Sequence, residues 1–320
     1  MTDPAQKSVS VQFITIRAEQ AGQRIDNFLI TLEKGVPKSR IYRALRKGEV
    51  RVNKGRIKQT YKLQAGDEVR VPPLRVIDKT GTVHVSDSLA QILRQQILYE
   101  DDYLLALNKP EGLAVHAGTQ IQTGVIEALK KLRPEAAFLE LVHRLDRDTS
   151  GCLLIAKRRD ALLHLQNQMR GSDIDKRYLT VTDGHWPQDD VLVDKPLQKN
   201  TVIGGENMVV VDAAGKMSKT RFLVRQTFAC CQLMEVKLYT GRTHQIRVHA
   251  ASSGHPVAGD SKYGRREFNK QLKQAGLNRM FLHAWRLTIS HPENGQPLQL
   301  TAPLPADLQL FTEQLTKDNP

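Results

Sequence analysis

The sequence predicts an α+β protein in two parts: a small basic helix–helix–strand module, then a larger domain on a mixed, mostly antiparallel sheet. Three observations lead there. A chain of 320 residues, 40% of them hydrophobic, is long for one core and suits two domains. The net charge of +13 is uneven: residues 34–75 hold thirteen Lys and Arg against three acids, so this window alone carries +10. Beyond residue 97, short apolar runs alternate with helical spacings, without the glycine-rich repeat of a doubly wound fold.

The elements follow in order. Residues 1–20 read as an N-terminal extension and 21–83 as the basic module. GQRIDNFLI places Ile25, Phe28 and Leu29 on one helical face. SRIYRALRKG repeats the pattern with Ile41, Ala44 and Leu45, with Ser39 as expected N-cap and Gly48 as C′ residue. Val50 and Val52 alternate with basic residues, Asn53-Lys54-Gly55 signals a tight turn, and KLQAGDEVRVPP closes the module as a strand. Residues 84–96 read as a linker holding a short helix, Leu89–Leu93. The larger domain spans 97–310, with 311–320 as a tail. In it, ILYEDDYLLALNKP predicts two strands about an acidic turn, GVIEALKKL and ALLHLQNQM helices, and RYLTVTDG and CCQLMEVKLYT strands. The continuous apolar runs FLELV and CLLIA predict buried strands.

The charge favours a polyanionic partner, nucleic acid or a membrane surface. MTDPAQKSVS has no apolar core of a signal peptide, and no 18-residue apolar run exists, so a cytoplasmic protein without a membrane partner is expected. Cys152, Cys230 and Cys231 fit neither a disulfide framework nor a metal spacing, and are expected as buried, reduced thiols. Arg40, Arg43, Arg46 and Lys47 surround the apolar face of the second helix, and Lys54 and Arg56 flank the turn. That pattern suits contacts to a phosphate backbone.

Four polar clusters mark the larger domain. In NKPEGLAVH (108–116), Lys109 follows a strand and either meets a phosphate or caps the strand end; His116 closes the cluster. HRLDRDTSG (143–151) places four formal charges between two apolar runs. A buried carboxylate is costly unless paired, so this is either a structural ion-pair turn or a carboxylate held for chemistry. In DKRYLTV, Tyr178 near a strand start reads most simply as a half-buried strand residue. YTGRTHQIRVHAASSGHPVAGDSKYG (239–264) combines a Thr-Gly turn with arginines and histidines. An extended reading puts Thr243, Gln245, Arg247 and His249 on one face and His244, Ile246 and Val248 on the other, with Arg242 at the turn, free to reach an Asp from elsewhere. His244 and His249 then face apart, and no metal site is expected.

Taken in series, HRLDRDTSG, NKPxGxxVH, KxY and GRTHQIRVH resemble the RluA-type family of RNA pseudouridine synthases, and GQRIDNFL…SRIYRALRKGEVRVNK resembles the S4 RNA-binding domain. GVPKSRIYRALRKGEVRVNKGRIK and GLNRMFLHA look most like members that modify large-subunit ribosomal RNA. The resemblance implies an S4-like αL module before a catalytic domain of the pseudouridine synthase fold. It also implies an isomerase that converts uridines of large-subunit (23S) ribosomal RNA to pseudouridine, without cofactor or metal, as a monomer with no protein partner. Asp146 would be the catalytic carboxylate, and Tyr178 would sit against the flipped base, a candidate for removing the C5 proton. Arg242 would pair with Asp146, and Arg144 would fill the gap left by the base. Lys109, His116 and the basic residues of the S4-like module would contact RNA. Two other functions fit parts of the pattern: an RNA N-glycosidase using Asp146 and Asp148 as a carboxylate pair, and a non-catalytic ribosome-assembly protein built on the RNA-binding module.

Overall fold

The computed structural model describes residues 10–33, 36–74, 85–117, 123–171, 174–203 and 206–317. The chain divides into two compact units, within residues 1–82 and 83–320. The first contains β1 (Gln12–Thr15), α1 (Ile25–Leu32), α2 (Lys38–Lys47), β2 (Arg51–Val52) and β3 (Glu68–Val71). Its core packs Phe28, Leu29, Ile41 and Leu45 of the helices against Val52, Val69 and Val71 of the strands. β3 pairs antiparallel with both β1 and β2. Residues 12–15 therefore belong to the module rather than to a free extension. Pro37, not Ser39, precedes α2; proline needs no N–H partner there, and Ser39 falls inside the first turn. Gly48 closes the helix at φ 68°, its N–H meeting the Ala44 and Leu45 carbonyls. Asn53 and Lys54 both take positive φ, which makes the expected tight turn.

The second unit runs α3 (Asp87–Gln95), β4 (Ile97–Glu100), β5 (Leu104–Lys109), α4 (Val125–Leu132), β6 (Glu140–Leu141), β7 (Ser150–Ala156), α5 (Arg159–Arg170), β8 (Asp175–Asp183), β9 (Asp190–Asp194), β10 (Leu197–Ile203) and β11 (Glu206–Val211). It continues with β12 (Lys219–Thr227), β13 (Cys231–Leu238), α6 (Gln245–Ser252), α7 (Arg266–Gln274), β14 (Leu282–Ser290), β15 (Pro297–Thr301) and α8 (Ala306–Lys317). Ten strands form one sheet in the order β4-β5-β7-β14-β8-β13-β12-β9, with β15 on β14 and β6 on β7; β10 and β11 form a separate hairpin. Every pairing in the large sheet is antiparallel except β7 with β14.

Both faces of the central strands are covered, which is why they read as unbroken apolar runs. Leu105, Leu107, Leu153 and Ile155 face Leu93 of α3 and Leu129 of α4. Leu104, Ala106, Leu154 and Ala156 face Leu165 of α5. α3 is longer than the expected short helix, begins at a Ser86 cap whose Oγ accepts the Leu89 N–H at 3.2 Å, and packs into this core. It is part of the domain, not a linker. α8 likewise buries Leu308, Phe311 and Leu315 beside Phe281, so residues 311–317 are no loose tail. The expected boundary at 83–84 and residues 318–320 lie outside the described residues. Cys152 and Cys231 are buried as expected, whereas Cys230 is exposed.

The topology brings three segments of the larger unit to one cavity. β7 and β14 run parallel from a shared start, with Ser150 opposite His283, and β8 lies antiparallel between β14 and β13, with Leu179 opposite His283 and Tyr178 opposite Val236. The loop before β7, the turn after β13 and Tyr178 of β8 all line that cavity. Gly151 makes the β7–β14 approach possible: φ is +111°, and a Cβ there would stand 2.2 Å from the Ala284 carbonyl oxygen. Gly151→Ala is expected to cost about 3 kcal/mol or more, from the backbone strain and the clash together. Thermal melting checks this; an unchanged Tm would contradict the close strand approach.

Candidate active site

The loop of residues 142–149 lies between β6 and β7 and is tied to the surrounding strands at both ends. His143 accepts the Leu154 N–H on Nε2 at 3.0 Å, and burial pulls its imidazole down to about 4, so it stays a neutral acceptor. Leu145 inserts into the core. At the far end the Ser150 hydroxyl accepts from Arg279 at 2.8 Å and meets His283 Nδ1 at 2.9 Å.

Lys109 supplies the strongest tether. It is 0% exposed, and its Nζ donates to the carbonyls of Pro110, Leu113 and Arg147 at 2.7, 2.9 and 3.0 Å. Burial, with Arg279 nearby, pulls the amine down to about 7, while three carbonyl acceptors match the three N–H bonds of the charged form. Lys109 was expected at the RNA. It instead joins the turn after β5 to the loop that carries Asp146, and its amine is not available to a phosphate. His116 is exposed and does not line the cavity described next.

Between these tethers Asp146 faces a cavity of about 120 Å³, lined also by Arg144, Tyr178, Arg242, His244 and Arg247. The Asp146 side chain keeps 22% of its surface exposed. Asp148 is absent from the lining; it pairs with exposed Arg147 at 3.0 Å, so the i, i+2 carboxylate pair a glycosidase would use does not form. Arg144 is exposed at the cavity lip.

The arginine beside Asp146 is Arg247, not Arg242. Residues 245–252 form helix α6, where an extended segment was expected. The helical repeat sends His244 and Arg247 toward the cavity, while Gln245 and His249, four apart, both reach the Thr220 hydroxyl at 2.8 and 2.9 Å. Arg247 Nη1 lies 3.5 Å from Asp146 Oδ2. Its Nε and Nη2 grip Asp260 at 2.7 and 2.8 Å, and its guanidinium stands 5.0 Å over the Tyr263 ring. Asp260 is 1% exposed and also accepts the N–H groups of Lys262 and Tyr263. Burial alone would raise its carboxyl; Arg247 and those N–H groups outweigh burial and hold it below the ordinary value. Arg242 sits on the lip, with Nε donating to the Met217 carbonyl at 3.2 Å. The five-residue exchange follows from reading a helix as a strand. Asp260, which orients Arg247, carries little signal in the sequence beyond its place after Gly259, a residue at φ +71°.

Tyr178 is half-buried, between the core and the cavity, as expected of a strand tyrosine. Burial, and after it the Asp146 charge, pushes its phenol well above the ordinary value, so at neutral pH it is a neutral hydroxyl on a flat wall. In the first unit, Arg43, Arg46, Lys47, Lys54 and Arg56 are exposed, whereas Arg40 pairs with Glu49 at 2.8 Å.

The family model described as RNA pseudouridylate synthase matches residues 103–252, and the S4 domain model matches residues 23–69. The protein named ribosomal large subunit pseudouridine synthase C of Yersinia pestis is 54% identical, with 93% of this chain and 94% of that protein covered. Its namesake in Escherichia coli (strain K12) is 53% identical, with 96% and 97% covered. Among solved structures, human RNA pseudouridylate synthase domain containing 4 aligns with a TM-score of 0.61 at 26% identity, over 72% of this chain and 96% of that one. The chain belongs to the RNA pseudouridine synthase family and is an RNA uridine isomerase carrying an S4 domain. Among the described residues, no helix is long and apolar enough to cross a membrane.

Loss of Arg247 should strike the chemical step. Arg247→Gln is expected to slow single-turnover conversion about a hundredfold, because it removes a charged partner of Asp146 and leaves Asp260 buried and unpaired. Arg242→Ala is expected to weaken RNA binding with a much smaller change in that rate. The opposite ranking would return Arg242 to the carboxylate.

Proposed function

We propose that this protein converts uridines of large-subunit ribosomal RNA to pseudouridine, with Asp146 as the catalytic carboxylate. The observation that carries the reading is a partly exposed carboxylate held between Arg247 and His244 in a cavity walled by Tyr178. The names of the relatives support ribosomal RNA of the large subunit as the substrate.

The target uridine leaves its stack, since its C1′ and base edge are unreachable inside a helix. Arg144, exposed at the lip, would enter the vacated gap. Arg247 engages Oδ2 of Asp146, and Oδ1 makes no hydrogen bond among the described residues. Oδ1 is therefore the oxygen for the ribose, either adding to C1′ or taking the proton at C2′. Both routes break N1–C1′, let the uracil turn, and join C5 to C1′; C5 then loses a proton and N1 holds one, so atoms balance without an oxidant or a leaving group. Tyr178 walls the base. Its phenol is a poor base while Asp146 is charged. Forming C5–C1′ frees Asp146 as a carboxylate again, so the phenol stays protonated, and it can receive the C5 proton only as its own Oη proton moves on to another acceptor. The exposed cations of the S4 unit supply sequence-independent contacts to RNA phosphates.

Asp146→Asn keeps the size of the side chain and removes its charge. It should melt near the wild type yet leave large-subunit RNA without this protein's pseudouridines when the RNA is mapped. The wild type should release no free uracil. Released uracil would indicate the glycosidase reaction, and an Asp146→Asn map identical to the wild type would remove Asp146 from the chemistry.

A further inference from the structure

His244 is the cavity residue that the scheme above leaves without a task. Its backbone sits at φ 53° and ψ 22°, the left-handed region, just before the first residue of α6. Histidine tolerates that region better than most residues, but asparagine or glycine would hold the turn as readily. The backbone thus gives no reason for an imidazole, and its side-chain contacts do.

The Val209 N–H donates to Tyr263 Oη at 3.1 Å, and the same Oη lies 2.8 Å from His244 Nδ1. A phenol has one proton. With the Val209 proton arriving on its oxygen, its own proton is free to go to Nδ1; in that arrangement Nδ1 is the acceptor and the ring N–H sits on Nε2. Nε2 lies 3.8 Å from Asp146 Oδ2, the oxygen that Arg247 also approaches. Burial holds the imidazole below its ordinary pKa; Asp146 and Asp260 push it up, and Arg247 and Lys262 push it down. The ring is therefore neutral near pH 7. A neutral donor orients a carboxylate without quenching its charge, and a second cation beside Arg247 would blunt Asp146 as nucleophile or base.

We propose that His244 is a positioning residue, locked by Tyr263 as the Nε2–H tautomer, that donates to Asp146 Oδ2 and so turns Oδ1 to the ribose. The 3.8 Å separation closes to a hydrogen bond when substrate fills the cavity, as free-enzyme contacts often tighten on binding. The inference rests on the reading of this site as the uridine isomerase centre.

Histidine-selective ¹⁵N NMR on the full chain reads the tautomer, and single-turnover kinetics on a target RNA reads the role. The wild type should show a bare Nδ1 and a protonated Nε2, and Tyr263→Phe should shift the ring toward a mixture. His244→Asn suits the turn and can still accept from Tyr263, but it has no donor for Asp146. It should lose roughly tenfold in the chemical step with RNA affinity unchanged. His244→Gln, whose longer amide reaches the Nε2 position, should recover most of that loss. A proton on Nδ1, or His244→Asn at the wild-type rate, overturns the proposal, and an equal loss in both variants assigns His244 to packing. A wild type that makes no pseudouridine defeats the functional reading instead, which separates the two failures.

Discussion

One guanidinium shared between two carboxylates sets the geometry on which the rest of the site depends. Arg247 is nearly buried, and a charge in that position is costly unless its partner is well placed. Asp260 meets the requirement with both oxygens on Arg247 and two further backbone N–H groups on Oδ1. That grip fixes the fork in rotation and leaves Nη1 turned to the cavity, 3.5 Å from Asp146. The other half of the arrangement brings Asp146 to Nη1. Lys109 holds the loop by the Arg147 carbonyl, His143 holds its start to β7, and Ser150 anchors its end beside His283. Asp260 is buried and satisfied, whereas Asp146 is left partly exposed.

Much of this was legible in the sequence, for identifiable reasons. Strands covered on both faces read as apolar runs, and the helices α1, α2, α4 and α5 carry a 3.6-residue repeat that solvent on one side preserves. Asp146 stood out because a charged loop between two buried strands needs an explanation. The failures are equally physical. THQIRVH alternates polar and apolar residues as a strand would, and what makes it a helix is tertiary: Gln245 and His249 share Thr220, and Ile246 and Ala250 fill the core beneath. No local pattern encodes those partners. The same error exchanged Arg242 for Arg247 and hid His244 behind the wrong face. Lys109 reads in the sequence as either phosphate ligand or strand cap, and three backbone carbonyls from two segments decide for a buried tether.

The two units divide the electrostatics. The S4 unit carries most of the net charge; Arg24 pairs with Asp26 at 2.6 Å and Arg40 with Glu49 at 2.8 Å, while Arg43, Arg46, Lys47, Lys54 and Arg56 are exposed. The larger unit matches many of its own cations internally, as where Arg177 bridges Asp175 and Glu235. Backbone attraction thus resides in one unit and the oriented carboxylate in the other. Affinity should fall with salt through the first, while the rate of the bound complex depends on the second.

Asp260 holds Arg247, and Arg247 approaches Asp146, so a substitution at Asp260 should reach the chemical step through Arg247. A double-mutant cycle on the single-turnover rate, with Arg247→Gln, Asp260→Asn and the pair together, tests it most directly. If Asp260 works only by holding Arg247, the double variant should be no slower than Arg247→Gln alone. Losses that multiply independently would contradict the chain from Asp260 through Arg247 to Asp146.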